Sequence, residues 1–309
     1  MSCRLVVIAG VASGVGKTSV TLGLLAALRR RGLAVQAFKV GPDFIDPGLH
    51  AAVTGRPSFN LDGWMCGRQR VLDTVARVAA DADVAVVEGV MGCFDGVDGA
   101  SDDGSTAQVA KWLGAPVILV VDAAAMARSV GALVVGFERF DPDLCLAGVI
   151  ANRVGGATHA RWIADAVRQA SRAEPLGAIP NDPSLTIPER HLGLHTAAEG
   201  ALGTAHVAEL ADAVERGVDV NRLLEVATPI PRGATSAGRP ARPGRARIGV
   251  AEGARLAAGE GRVGSDGRTG ETAETGGQAA GISYLGEGEV GPALSVAKVG
   301  KGSSPLEAR

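Results

Sequence analysis

The chain has 309 residues, with 31 Lys and Arg against 33 Asp and Glu, and that near balance argues against a basic nucleic-acid surface and against a polyacidic tail. Hydrophobic residues make up 46% and aromatics 3%, so a core has to be built mainly from Ala, Val, Leu and Ile. Cys3, Cys66, Cys93 and Cys145 show no C-x-x-C spacing, which argues against a disulfide framework and a zinc site and fits free thiols in a reducing cytoplasm; no stretch reads as a membrane span.

The apolar run 5–9, closed by Gly10, predicts a buried parallel strand. Residues 17–30 place Val20, Leu24, Leu25 and Leu28 at helical spacing and end in Arg29-Arg30-Arg31-Gly32, a basic last turn followed by a stop. Further strands are expected at 34–38, 84–87, 117–121 and 146–150, and helices around 68–80, 105–113, 126–139 and 158–171. A helix of mixed polarity near 200–216 reads as a solvated amphipathic helix or as a subunit contact in a homodimer. Strands alternating with helices predict an α/β fold, a mostly parallel sheet with helices on both faces, over residues 1–230. Composition then changes, and 18 of the 44 glycines fall after residue 232. Residues 231–251 read as a linker ending in an aborted strand, and 252–309 as a low-complexity, disordered tail.

In such sheets ligands bind beyond the carboxyl ends of the strands, where the chemistry-bearing motifs of this sequence fall. Gly10-Val11-Ala12-Ser13-Gly14-Val15-Gly16-Lys17-Thr18 lies between the first strand and the first helix, the context of a P-loop. Gly14, Val15 and Gly16 would offer backbone amides to phosphate, Lys17 would reach the β- and γ-phosphates, and Thr18 would hold Mg²⁺. ATP and Mg²⁺ are therefore the expected cofactors of a P-loop NTPase-like domain. Position 11 is Val where a Gly-x4-Gly-Lys loop has its leading glycine, so the loop is a variant.

Acidic residues crowd the neighbouring strand ends. Asp43 and Asp46 sit three apart in the Pro/Gly-bounded segment Lys39-Val40-Gly41-Pro42-Asp43-Phe44-Ile45-Asp46-Pro47, and Glu88 closes the run 84–87. Lys17, Asp43, Asp46 and Glu88 are the catalytic candidates, and Thr18, Asp43 and Glu88 the metal-side candidates, because carboxylates converging on a polyphosphate need a cation to offset repulsion. Asp95 and Asp122 have two readings, site residue or turn former.

These strings, with Glu88-Gly-Val-Met-Gly-Cys-Phe-Asp-Gly96, Gly148-Val-Ile-Ala-Asn-Arg-Val154 and Pro188-Glu-Arg-His-Leu-Gly-Leu194, closely resemble the cobyrinic acid a,c-diamide synthase family from about residue 4 to about 250. The resemblance implies ATP- and Mg²⁺-dependent amidation of the c- and then the a-acetate carboxylate of cobyrinic or hydrogenobyrinic acid through acyl phosphates, in cobalamin biosynthesis. It implies Asp46 for the substrate side and Asn152 for adenine, with a turn after the strand as the other reading of Asn152. Phe44, Asp95, Glu189, Arg190 and His191 become candidates for the corrinoid pocket; residues 189–191 read equally as a loop cap.

The family continues into a glutaminase with a Cys nucleophile and an activating His. Here no Cys follows position 145 and no His follows 206. The expectation is that ammonia arrives free or from a separate glutaminase. Competing readings are an amidase of another tetrapyrrole such as nickel sirohydrochlorin, an inactive ATP-binding remnant, and a ParA-like ATPase switch; the last predicts a lysine at position 11. A cytoplasmic location is expected.

Overall fold

The computed structural model describes residues 3–187 and 203–230. The expected linker (231–251) and tail (252–309) lie outside the described residues, as do Glu189, Arg190 and His191.

In chain order the elements are β1 (Arg4–Gly10), α1 (Lys17–Arg30), β2 (Val35–Val40), α2 (Asp46–Thr54), β3 (Phe59–Leu61), α3 (Gly63–Val78), β4 (Val84–Glu88), α4 (Thr106–Leu113), β5 (Val117–Asp122), α5 (Ser129–Phe140), β6 (Leu146–Val154), α6 (Ala157–Ala170), β7 (Glu174–Pro180), α7 (Thr204–Gly217), α8 (Val220–Val226) and β8 (Thr228–Pro229). Seven strands form a parallel sheet in the order β3-β2-β4-β1-β5-β6-β7. β8 adds antiparallel to the start of β1, at Arg4 and Leu5, where β5 has not yet begun to pair.

Alternation along β1 builds a core on each face. Leu5, Val7 and Ala9 pack with Val71 and Val75 of α3, Val109 and Leu113 of α4, Val130 and Val134 of α5, and Ile163 and Val167 of α6. Val6 and Ile8 pack with Leu22 and Leu25 of α1, Leu49 and Val53 of α2, Leu210 and Val214 of α7, and Leu223 of α8. Few aromatics are needed, because small branched side chains fill a sheet buried on both faces. The α/β fold with helices on both faces is as expected.

The segment at Asp46 differs from the expectation. Asp46 opens α2 rather than lying in a loop, its turn initiated by Asp43, whose Oδ1 accepts from the amides of Ile45 and Asp46 at 2.7 and 3.0 Å. α7 has the solvated face of an amphipathic helix, with Glu209, Glu215 and Arg216 exposed, and packs Leu210, Ala211, Ala213 and Val214 into the core. Gly23 of α1 lets it approach, since a Cβ there would lie 2.6 Å from the Leu210 carbonyl oxygen.

Strand parity then positions the site. Lys39 shares its face of β2 with Val35 and Ala37, and Glu88 shares its face of β4 with Val84 and Val86, the face covered by α1 and α2. Lys39 and Glu88 are register partners across these strands, and Ile8 of β1 is the partner of Glu88 on the other side.

Candidate functional site

The loop after β1 leads directly into α1. Gly14 and Gly16 take positive φ, 76° and 93°, a region that costs a side-chain-bearing residue strain. A Cβ on Gly16 would fall 2.1 Å from the Asn152 Nδ2, so the glycine is required by space as well as by φ. Asn152, near the carboxyl end of β6 and buried, donates from Nδ2 to the Val15 carbonyl at 2.9 Å and ties the loop to the neighbouring part of the sheet.

Lys17 begins α1 and is 8% exposed. Its ammonium donates to the carbonyls of Ala12 (3.0 Å) and Met91 (2.5 Å). Burial, aided by the charge of Lys39, lowers its pKa. Met91, whose carbonyl it grips, holds a positive φ of 46°, and Arg153 beside Asn152 holds one of 59°. Strained non-glycine backbone of this kind, in the loop after β4 and near the carboxyl end of β6, clusters around binding sites.

Beside the loop lies a buried ionic cluster. Glu88 is fully buried, and its Oε1 accepts from Thr18 Oγ1 at 2.7 Å and from Lys39 Nζ at 2.9 Å. Its Oε2 lies 2.7 Å from His50 Nε2. Lys39 also reaches Asp46 Oδ2 at 2.7 Å and the Gly89 carbonyl at 3.0 Å. Burial pushes the Glu88 carboxyl up, but Lys39 and His50 more than offset it, so the group is held well below the usual carboxylate range. Asp46 goes the other way: burial and the Glu88 charge raise it despite Lys39. Lys39 itself is raised, because Glu88 and Asp46 outweigh its desolvation.

The structure thus brings Lys17, Thr18, Asp46 and Glu88 together, with Asp43 one step outside as the turn former of α2. Lys39 and His50 supply the positive and hydrogen-bonding groups that the carboxylates need, and the sequence reading assigned neither a role. Strand parity could have found Lys39, an ammonium on a face otherwise made of Val and Ala. His50 follows Asp46 by four residues, one helical turn along α2.

Other candidates sit further out. Phe44 is 65% exposed at the same strand end. Asp95 is exposed and accepts from the Gly92 amide at 2.7 Å, the geometry of a turn former. Asp122, the register partner of Asn152, pairs with Arg153 at 2.5 Å.

The arrangement fits a nucleotide and a divalent ion. A cleft of about 420 Å³ opens between Gly14, Gly16, Lys17 and Thr18 on one side and Asn152, Arg153, Pro180, Asp182 and Ile187 on another. Among the described residues no group of three His, Cys, Asp or Glu could hold a metal ion. Mg²⁺ keeps several waters and binds through one or two protein groups together with substrate phosphates, so a hydroxyl and a carboxylate beside the phosphate loop could hold it. Thr18 is the residue placed to meet it, with Glu88 behind.

A strand, a glycine loop with a buried lysine, a helix beginning at that lysine, and a carboxylate on the adjacent strand end define a P-loop nucleotide-binding domain. The chain belongs to the CobQ/CobB/MinD/ParA nucleotide binding domain family, whose model matches residues 6–194. The similarity to cobyrinic acid a,c-diamide synthases carried by the motifs is borne out. A cobyrinate a,c-diamide synthase of Syntrophotalea carbinolica is 53% identical over 255 residues, covering 81% of this chain and 55% of that protein. A hydrogenobyrinate a,c-diamide synthase of Mesorhizobium japonicum is 41% identical over 253 residues, covering 82% and 57%. The chain spans about half the length of the curated relatives it matches. Among solved structures, the MinD cell division protein of Aquifex aeolicus is 16% identical with a TM-score of 0.46, covering 74% of this chain and 100% of that one. No helix among the described residues is long and apolar enough to cross a membrane.

Proposed function

We propose that the chain catalyses ATP-dependent amidation of the a- and c-acetate carboxylates of cobyrinic or hydrogenobyrinic acid, a step of cobalamin biosynthesis. Ammonia, free or delivered by a glutaminase, is the amine. The observation that carries this reading is the continuous chain of contacts from the phosphate loop through Thr18 and Glu88 to Lys39 and Asp46. A phosphate-binding loop and a buried cluster carrying the ammonium of Lys39 are joined through Glu88, which would set a substrate carboxylate beside the γ-phosphoryl group. The names of the relatives supply the substrate class.

A carboxylate is a poor acyl donor until one of its oxygens becomes a leaving group. In the proposed reaction a substrate carboxylate oxygen attacks the γ-phosphorus and ADP leaves. Ammonia then attacks the acyl carbon, loses a proton, and expels phosphate that carries the former carboxylate oxygen. The residues mainly position groups and neutralise charge. Gly14, Val15 and Gly16 offer amides to the phosphates, and Lys17 exchanges its two carbonyl partners for phosphate oxygens. Asn152 holds the loop through Val15 and has its amide oxygen left for the base. Thr18 and Glu88 would hold Mg²⁺, which would supply positive charge to neutralise the phosphates. Asp46 and Lys39 orient the incoming carboxylate, and Asp43 holds the start of α2. Phe44 offers an exposed ring to the macrocycle.

The test is hydroxylamine trapping with ATP and Mg²⁺, across cobyrinic acid, hydrogenobyrinic acid and nickel sirohydrochlorin. Hydroxamate formed on either of the first two supports the reading. Product on nickel sirohydrochlorin alone moves the activity to that ring, and ATP binding with no hydroxamate on any ring leaves a binding remnant.

A further inference from the structure

Glu88 is met by donors from three elements: Thr18 of α1, Lys39 of β2 and His50 of α2. Thr18 and Lys39 both fall on Oε1. Among the described residues His50 is the one donor on Oε2, and its ring is itself fully buried. A carboxylate only accepts, so Nε2 carries the proton; in the neutral ring Nδ1 then accepts from the Ser58 hydroxyl, 3.2 Å away. Ser58, just before β3, thus fixes the ring, and the ring fixes the carboxylate.

We propose that His50 is a positioning residue for the metal-facing side of the site. By holding Oε2 it sets the rotation of the Glu88 carboxylate, so that Oε1 takes the Thr18 hydroxyl proton and leaves the lone pairs of that hydroxyl for Mg²⁺. The relay Ser58–His50–Glu88–Thr18 runs along one face of the sheet from α2, the helix that Asp46 begins, to the start of α1 at the phosphate loop. It belongs to a recurring arrangement in which groups one step removed from a metal set the orientation of its ligands. The inference rests on the reading of this site as one for ATP and Mg²⁺.

The experiment is calorimetric ATP affinity of the full chain in Mg²⁺ and in EDTA. In His50→Phe the affinity gained on adding Mg²⁺ should fall about 10–100-fold, while affinity in EDTA stays within a factor of about two. His50→Gln, whose amide restores a donor, should recover most of the gain. Imidazole ¹⁵N shifts of the wild type should show the Nε2–H tautomer. If His50→Phe does not fold, Ser58→Ala is read in its place, with a smaller loss confined to Mg²⁺. An unchanged Mg²⁺ gain in the folded variant overturns the proposal. Equal losses with and without Mg²⁺ also overturn it, since they mark a merely structural residue, as does an Nδ1–H tautomer. Failure of the wild type to bind ATP at all would instead strike the nucleotide reading itself.

Discussion

Lys39 and Glu88 are register partners on adjacent parallel strands, and the lysine ammonium lies 2.9 Å from the glutamate Oε1 with both side chains buried. The same ammonium reaches Asp46 at 2.7 Å, so one cation serves two carboxylates out of water. Such a group is costly to bury and much costlier to break, because removing one partner strands the others.

Lys39→Met should therefore destabilise the fold by about 3–5 kcal/mol at neutral pH. The folded-state pKa of Glu88 lies below its ordinary 4.5, so the ionised carboxylate stabilises the fold above that pH and loses this contribution as acid protonates it. The penalty of Lys39→Met should consequently shrink as pH falls below about 4. Urea titrations at both pH values check it; an equal penalty at each would contradict the pairing.

Lys17→Ala separates binding from stability. Burial and the nearby Lys39 disfavour the charged ammonium in the folded state, so its removal relieves a cost at neutral pH. The melting temperature should hold or rise while ATP affinity falls about 10–100-fold, the size of a lost charged hydrogen bond. Calorimetry beside thermal melting reads both.

Gly16→Ala places a Cβ at a φ of 93° and 2.1 Å from Asn152 Nδ2. The Asn152–Val15 bond must give way, and ATP affinity should fall at least tenfold, with a stability loss of about 1–3 kcal/mol. A variant that binds ATP normally would mean the loop does not need this conformation.

The cysteines divide by environment. Burial pushes the Cys3 and Cys93 thiols up to about 12, whereas Cys66 and Cys145 are exposed. The thiolate is the reactive form. Maleimide at pH 7.5 should label Cys66 and Cys145 and leave Cys3 and Cys93 untouched until the chain is unfolded, as peptide mass mapping would show.

Much of this was legible in the sequence because the relevant signals are local. The strand 5–9, the glycine loop and the helix from Lys17 are contiguous, and the three central strands β4, β1 and β5 carry unbroken runs of Val, Ile, Leu and Ala at 84–87, 5–9 and 117–121. β7 was missed because its residues, Glu174–Pro180, include two prolines and a glycine within an irregular pairing with β6. β8 is two residues long and exists through its pairing with β1. α2 was read as a loop because Pro42 and Pro47 look like breakers, though proline is well suited to the first turn of a helix. The convergence of Asp43, Asp46 and Glu88 was expected to need an outside cation. Lys39 supplies one from within, through a cross-strand register that spacing along the chain does not reveal.

The account turns on phosphoryl transfer to a substrate carboxylate at this cluster, and oxygen tracing reads that transfer directly. With hydrogenobyrinic acid labelled with ¹⁸O in its carboxylates, ATP, Mg²⁺ and ammonium, the phosphate released should carry one ¹⁸O for each amide formed. Phosphate bearing only solvent oxygen, or ATP hydrolysis indifferent to the ring compound, would contradict the account.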